Sequence, residues 1–151
     1  MNAYVLLILV LLGSAACVNP FKPLRKPQAA TAEAALAGLK WKHRVLVVFA
    51  PRRDDAELAK QRQFITADEA GCIERDFGLI EVVGDEGNVP IDGRVVQIPD
   101  LRRTLATPAE RFEVVLIGKD GGVKLRETRA VPTQELFALI DSMPMRQREM
   151  R

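Results

Sequence analysis

The sequence is 151 residues long, 48% apolar and 28% charged, which suits one globular domain and excludes an intrinsically disordered chain. A net charge of +2 is too small for a nucleic-acid footprint, and only three arginines cluster near the C-terminus. That charge is uneven: residues 22–53 hold eight Lys or Arg and one acid, Glu33, whereas the chain from Asp54 onward holds fourteen basic and nineteen acidic residues.

The chain opens on an apolar run, Tyr4 to Leu12, of signal-peptide length. Gly13, Ser14, Ala15 and Ala16 follow it, and then Cys17. Small residues ahead of a cysteine read as a bacterial lipoprotein signal covering residues 1–16, cleaved before Cys17. Acyl chains on that residue would hold the domain to a membrane, since two or more give stable anchoring. No Lys or Arg precedes the run, however, whereas Lys22, Arg25 and Lys26 follow it, and Ser14 stands where Leu is more usual. Plain signal cleavage after Ala16 and an uncleaved anchor are the alternatives. With Cys17 lipidated or removed, Cys72 is the one thiol left and no intrachain disulfide can form.

Residues 17–30, rich in Pro and basic side chains, read as an extended tether to a domain over 31–151. Thr31 is placed to cap a short helix through Leu39. Arg44–Phe49 reads as a buried strand. In the helix after it, Asp54 is the expected N-cap, with Glu57 completing a capping box and Gly71 ending the helix. A second strand is expected over Phe77–Gly84, a short one at Arg94–Gln97, and a short helix capped by Asp100. Glu113–Ile117 and Val123–Arg126 flank GKDGG, a hairpin with Asp120-Gly121 at its tip. Leu136, Phe137, Ile140 and Met143 then share one face of a closing helix between Pro132 and Pro144. This order predicts an α/β three-layer sandwich of thioredoxin-like type, with a central mixed sheet, a C-terminal β-hairpin and a closing helix.

Four segments, LKWKHRVLVVFAP, the ERD before the second strand, VVLIGKDGGVKLR and LIDSMPMRQREM, together resemble the domain of unknown function 4174, the peroxiredoxin-like P-DUDES domain. The resemblance covers about Leu36 to Met150. It implies a thioredoxin-like fold related to peroxiredoxins, in bacterial envelope or animal extracellular-matrix proteins, and no established activity.

A peroxiredoxin-type site would put Thr four and Cys seven residues beyond the strand-end Pro51, where this chain has Asp55 and Leu58. No CxxC lies in the strand–helix turn either, so neither mechanism has its attacking thiolate. Cys72, beside Glu74 and Asp76 at the far end of a helix, reads as a stray cysteine and is the one low-ranking redox candidate. Pro51, Arg52, Arg53, Asp54 and Asp55 form the candidate anion- or partner-binding turn, although the two acids compete for the same donors. As acid/base carboxylates the adjacent Asp54 and Asp55 diverge in direction. Trp41 to Arg44 make a basic strip, read as a Trp packed at the sheet edge with a further use against anionic lipid. The C-terminal SMPMRQREMR reads as a packed helix end with a frayed tail, or as an adaptable Met–Arg surface. A single His and the lack of GxxxxGK[ST] or GxGxxG point to no metal and no cofactor.

The expected function is therefore a non-catalytic binding or scaffolding module of the bacterial envelope. It would be held to the membrane by its N-terminal lipid or signal anchor, with an envelope protein or a small anion as partner and no nucleic acid. The alternatives are an unconventional redox or peroxide-related enzyme using Cys72 or a partner thiol, and a lipid- or polyanion-binding module.

Overall fold

The computed structural model describes residues 28–151; the signal, the lipidation at Cys17 and the tether up to residue 27 lie outside them. In chain order the elements are β1 (Gln28–Ala29), α1 (Ala32–Leu39), β2 (Arg44–Ala50), α2 (Ala56–Ala67), α3 (Glu69–Glu74) and β3 (Phe77–Val83). After them come β4 (Asn88–Ile91), β5 (Arg94–Gln97), α4 (Ile98–Thr104), β6 (Glu113–Ile117), β7 (Val123–Glu127), α5 (Thr133–Ser142) and α6 (Pro144–Glu149). None of the helices among the described residues is long and apolar enough to cross a membrane.

All seven residues of β2 are buried, which explains its unbroken apolar run: the strand is covered on both faces. Each fully buried Val, Leu or Phe contributes about 1.5–3 kcal/mol. That outweighs about 1–2 kcal/mol per residue for ordering the backbone. β2 lies at the centre of a sheet ordered β3-β2-β6-β7, parallel to β3 and antiparallel to β6. The β2–β3 crossover runs through α2 and α3, and β6–β7 is the expected hairpin.

Alternate residues of β2 serve two cores. Val45, Val47 and Phe49 pack with α1, α4 and the small sheet β1-β5-β4. Leu46, Val48 and Ala50 pack with Leu58 of α2, Cys72 of α3 and Leu136, Phe137 and Ile140 of α5. The result is a mixed α/β sandwich of three layers, compatible with the thioredoxin-like architecture expected.

Thr31 caps α1 as expected, its hydroxyl accepting from the Ala34 amide. Elsewhere the local details differ. The N-cap of α2 is Asp55, not Asp54; its carboxylate accepts from the Glu57 and Leu58 amides. A capping box on Asp54 would need the Glu57 carboxylate, but that group is drawn 73 residues away to the Ala130 amide at 2.7 Å. Gly71 does not end a helix. The chain breaks three residues earlier at Asp68, whose side chain accepts from the Gly71 amide, and Gly71 lies inside α3. It is a packing glycine, since a Cβ there would fall 2.5 Å from the Phe137 ring of α5.

Asp100 caps a different helix from the one anticipated: α4 starts earlier, with Pro99 in its first turn, and Asp100 accepts from the Ala32 amide of α1 at 2.6 Å. β4 lies in a turn-rich segment where only the strand at Arg94–Gln97 is expected from the sequence; it contains Pro90, and as the edge of its sheet it tolerates a residue without an amide. Asp92 and Gly93, both at positive φ, close the β4–β5 hairpin. At the end of the predicted tether, Gln28 and Ala29 pair with β5.

Candidate functional site

At the C-terminal end of β2, where a thiol enzyme would keep its nucleophile, the chain turns through Pro51 to Asp54. Arg52 pairs with Asp54 at 3.4 Å, with both side chains almost four-fifths exposed. Asp55 already occupies amides at the start of α2, so the donors that would meet an anion are taken. Arg53 is exposed beside them.

Cys72 is elsewhere, in α3, 5% exposed within the core that holds Phe77 and Phe137. Burial pushes its thiol pKa up, Asp68 and Glu69 add to this, and Arg75 opposes it. A buried thiol with a raised pKa presents little thiolate. Because α3 leads into β3, and Phe77 of β3 registers with Arg44, Cys72 sits toward the opposite end of the sheet from the Pro51 turn. The strand β2 itself, seven residues long, spans about 20 Å.

The opposite pole carries the densest set of charges. Arg44, first residue of β2, is 1% exposed. Its Nη1 donates to the Arg75 carbonyl at 2.8 Å and its Nη2 to Glu149 at 3.1 Å, while its buried Nε has no protein partner. Lys119, in the β6–β7 turn, donates to both Asp76 and Glu149 at 2.7 Å. Arg75 forms a two-pronged pair with Asp141 of α5 at 2.9 and 2.7 Å and lies over the Phe137 ring. Arg146 of α6 donates to Asp141, to the Glu74 carbonyl and to the Glu74 carboxylate.

These contacts favour the ionised forms of Asp76, Asp141 and Glu149. The Arg75 hydrogen bond keeps Asp141 below the usual carboxylate range, and Lys119 does the same for Asp76. Burial opposes ionisation of Glu149, but hydrogen bonds from Lys119 and Arg44 outweigh it and its pKa is also lowered. Burial likewise works against the Lys119 ammonium, and Asp76 and Glu149 overcome it and raise its pKa.

Beside this network opens a cleft of about 430 Å³. Its walls are Arg44, the β6–β7 turn from Gly118 to Lys124, and the α5–α6 junction from Ser142 to Met145, with Arg148. The turn is rigid for identifiable reasons. The Gly118 amide donates to the Gly122 carbonyl, Gly121 adopts φ +82°, and Asp120 accepts from the Gly122 amide and from Lys124. The Trp41 amide donates to the Lys119 carbonyl at 2.7 Å, holding the loop before β2 against the turn.

Sequence reasoning missed this cleft although its parts were singled out. The basic strip is split: Arg44 turns inward, whereas Trp41 is 68% exposed and not packed at the sheet edge, its backbone at positive φ. The C-terminal Met–Arg segment is the helix α6, with Arg146 buried, and not a frayed tail. Among the described residues no three His, Cys, Asp or Glu side chains are grouped to hold a metal.

The four segments that carried the family resemblance all reach this pole: Arg44 from the first, Glu74–Asp76 from the second, the β6–β7 turn from the third, and the α5–α6 junction from the last. The family model described as "Domain of unknown function (DUF4174)" matches residues 35–149. The chain belongs to this DUF4174 family. It is also 27% identical over 133 residues to coiled-coil domain-containing protein 80 of Danio rerio, covering 76% of this chain and 15% of that relative. The chain thus spans only a small part of the length of this relative. A third buried arginine, Arg102 of α4, donates to the Gly84 and Pro108 carbonyls and stacks on Phe49, fastening the loops at the Pro51 pole.

Proposed function

We propose that this DUF4174 chain is an exported, lipid-anchored binding module of the bacterial envelope, working on a thioredoxin-like sandwich without thiol chemistry. The observation that carries the reading is the position of Cys72: a buried thiol with a raised pKa, away from the strand–helix turn, whose equivalent catalytic positions are Asp55 and Leu58. The apolar run ending in small residues before Cys17 supports the export and the anchor. Of the two charged surfaces, the cleft between the β6–β7 turn and the α5–α6 junction supports binding better than the Pro51–Asp55 turn. It is concave and its lining holds four cationic side chains and one carboxylate, while the turn's Arg52 and the first amides of α2 are already engaged by Asp54 and Asp55.

The test is turnover of hydrogen peroxide and of a disulfide substrate by the full-length chain, with dithiothreitol, beside Cys72→Ala. Rates at the free-thiol background for both proteins are expected. Turnover well above background that is lost in Cys72→Ala would replace this reading with a redox enzyme. The anchor has its own test: the chain is expected to take up labelled palmitate and Cys17→Ala to take up none, and a wild-type chain that takes up no label would contradict lipidation.

A further inference from the structure

We propose that the cleft at the hairpin pole binds an organic oxyanion, a phosphate monoester or carboxylate. Its head would meet Lys119, Lys124 and Arg148, with the buried charge of Arg44 beside them, and its apolar body would lie along Met143, Pro144 and Met145. The assignment rests on the binding-module reading and gives that module a site and a ligand class.

The charge balance selects an anion. Among the lining side chains four are cationic and one, Asp120, is acidic. Asp76 and Glu149 engage Lys119 from beside the cleft, and Glu149 also engages Arg44. Even with both acids counted, the lining keeps a positive excess of one.

The donor count is more specific. An arginine has five N–H groups and a lysine ammonium three. Arg44 leaves its Nε–H unmatched although the side chain is 1% exposed. A buried donor without an acceptor costs about 1–3 kcal/mol. Lys119 has two acceptors for three protons, and Lys124 has only Asp120. Arg148 makes no ion pair among the described residues. Spare donors on Lys119, Lys124 and Arg148 around one cavity match the several acceptor oxygens of a phosphate or carboxylate, and the enclosed Arg44 adds positive charge rather than a contact.

The methionines and proline on the α5–α6 side add a wall that inorganic phosphate would leave uncovered. A volume of about 430 Å³ lies within the usual range for small-molecule sites and leaves room for more than a bare ion. Met adapts to apolar bodies of different shape.

The experiment is calorimetric titration of the full-length chain, in phosphatidylcholine nanodiscs, with butyl phosphate, butyrate, inorganic phosphate and butanol. Butyl phosphate and butyrate are expected to bind more tightly than inorganic phosphate, butanol not at all, and added salt to weaken binding. Arg148→Ala and Lys124→Ala, both at exposed side chains and therefore compatible with folding, should each weaken butyl phosphate about tenfold, or about 1.4 kcal/mol. Arg103→Ala, an exposed arginine on α4, should change nothing. Repeating the titration in discs doped with phosphatidic acid separates two sources of the same head group. Competition assigns the site to a lipid, and undiminished affinity assigns it to a soluble ester. Absence of binding by every anion, or binding that Arg148→Ala and Lys124→Ala leave intact, would overturn the site. In that case background turnover in the peroxide assay would still leave the binding-module reading standing.

Discussion

Gln61 shows how single residues decide this fold. Its side-chain amide is buried and meets one distant residue twice, donating to the Val131 carbonyl at 3.0 Å and accepting from the Val131 amide at 2.8 Å. Gln61→Ala would leave that buried amide and carbonyl unmatched, so urea denaturation should show a loss of about 3 kcal/mol. A loss under about 0.5 kcal/mol, the level of an ordinary surface change, would mean the contact is not formed. Cys72 gives a second residue-scale expectation. Its burial and raised pKa should slow alkylation by iodoacetamide at least about tenfold relative to the urea-unfolded chain, and equal rates would contradict the packing. Roles like these were not legible in the sequence. Nothing in the sequence marks Gln61, and Arg44 reads as part of a basic strip, because their partners are backbone groups and acids brought near only by the fold.

Elements were legible where periodicity and turn chemistry agreed, and not where a tertiary partner redirected a side chain. The β6–β7 hairpin came out as GKDGG implies, and the long buried strand as its apolar run implies. The caps of α2 and α4 did not, because Glu57 and Asp100 serve other segments. The hairpin itself makes a prediction. At φ +82° Gly121 is in the left-handed region, and a Cβ there would also collide with the Lys40 side chain. Gly121→Ala should therefore destabilise the domain by about 1–2 kcal/mol in thermal or urea denaturation. A neutral result would mean that the turn relaxes without penalty.

At the scale of the whole molecule, one ion-pair network joins the α3–β3 turn, the hairpin, α5 and α6 at a single pole. Asp76, Asp141 and Glu149 have lowered pKa values in the folded chain. A depressed folded pKa contributes stability that is full above the unfolded value, near pH 4 for these groups, and that fades as pH falls through the folded values. Urea midpoints should hold steady from neutrality to about pH 5 and drop below about pH 4, with a shallower drop in Asp141→Asn. The same network holds Arg44 and Lys119 beside the cleft, so the charges that brace this pole also shape the proposed site. The measurement that bears most directly on the account is amide chemical-shift mapping of butyl phosphate on the isotope-labelled full-length chain. Shifts centred on Lys119, Ser142, Met143 and Met145 are what the account predicts. Shifts centred on Arg52 to Asp55, or no localised shifts at all, would contradict it.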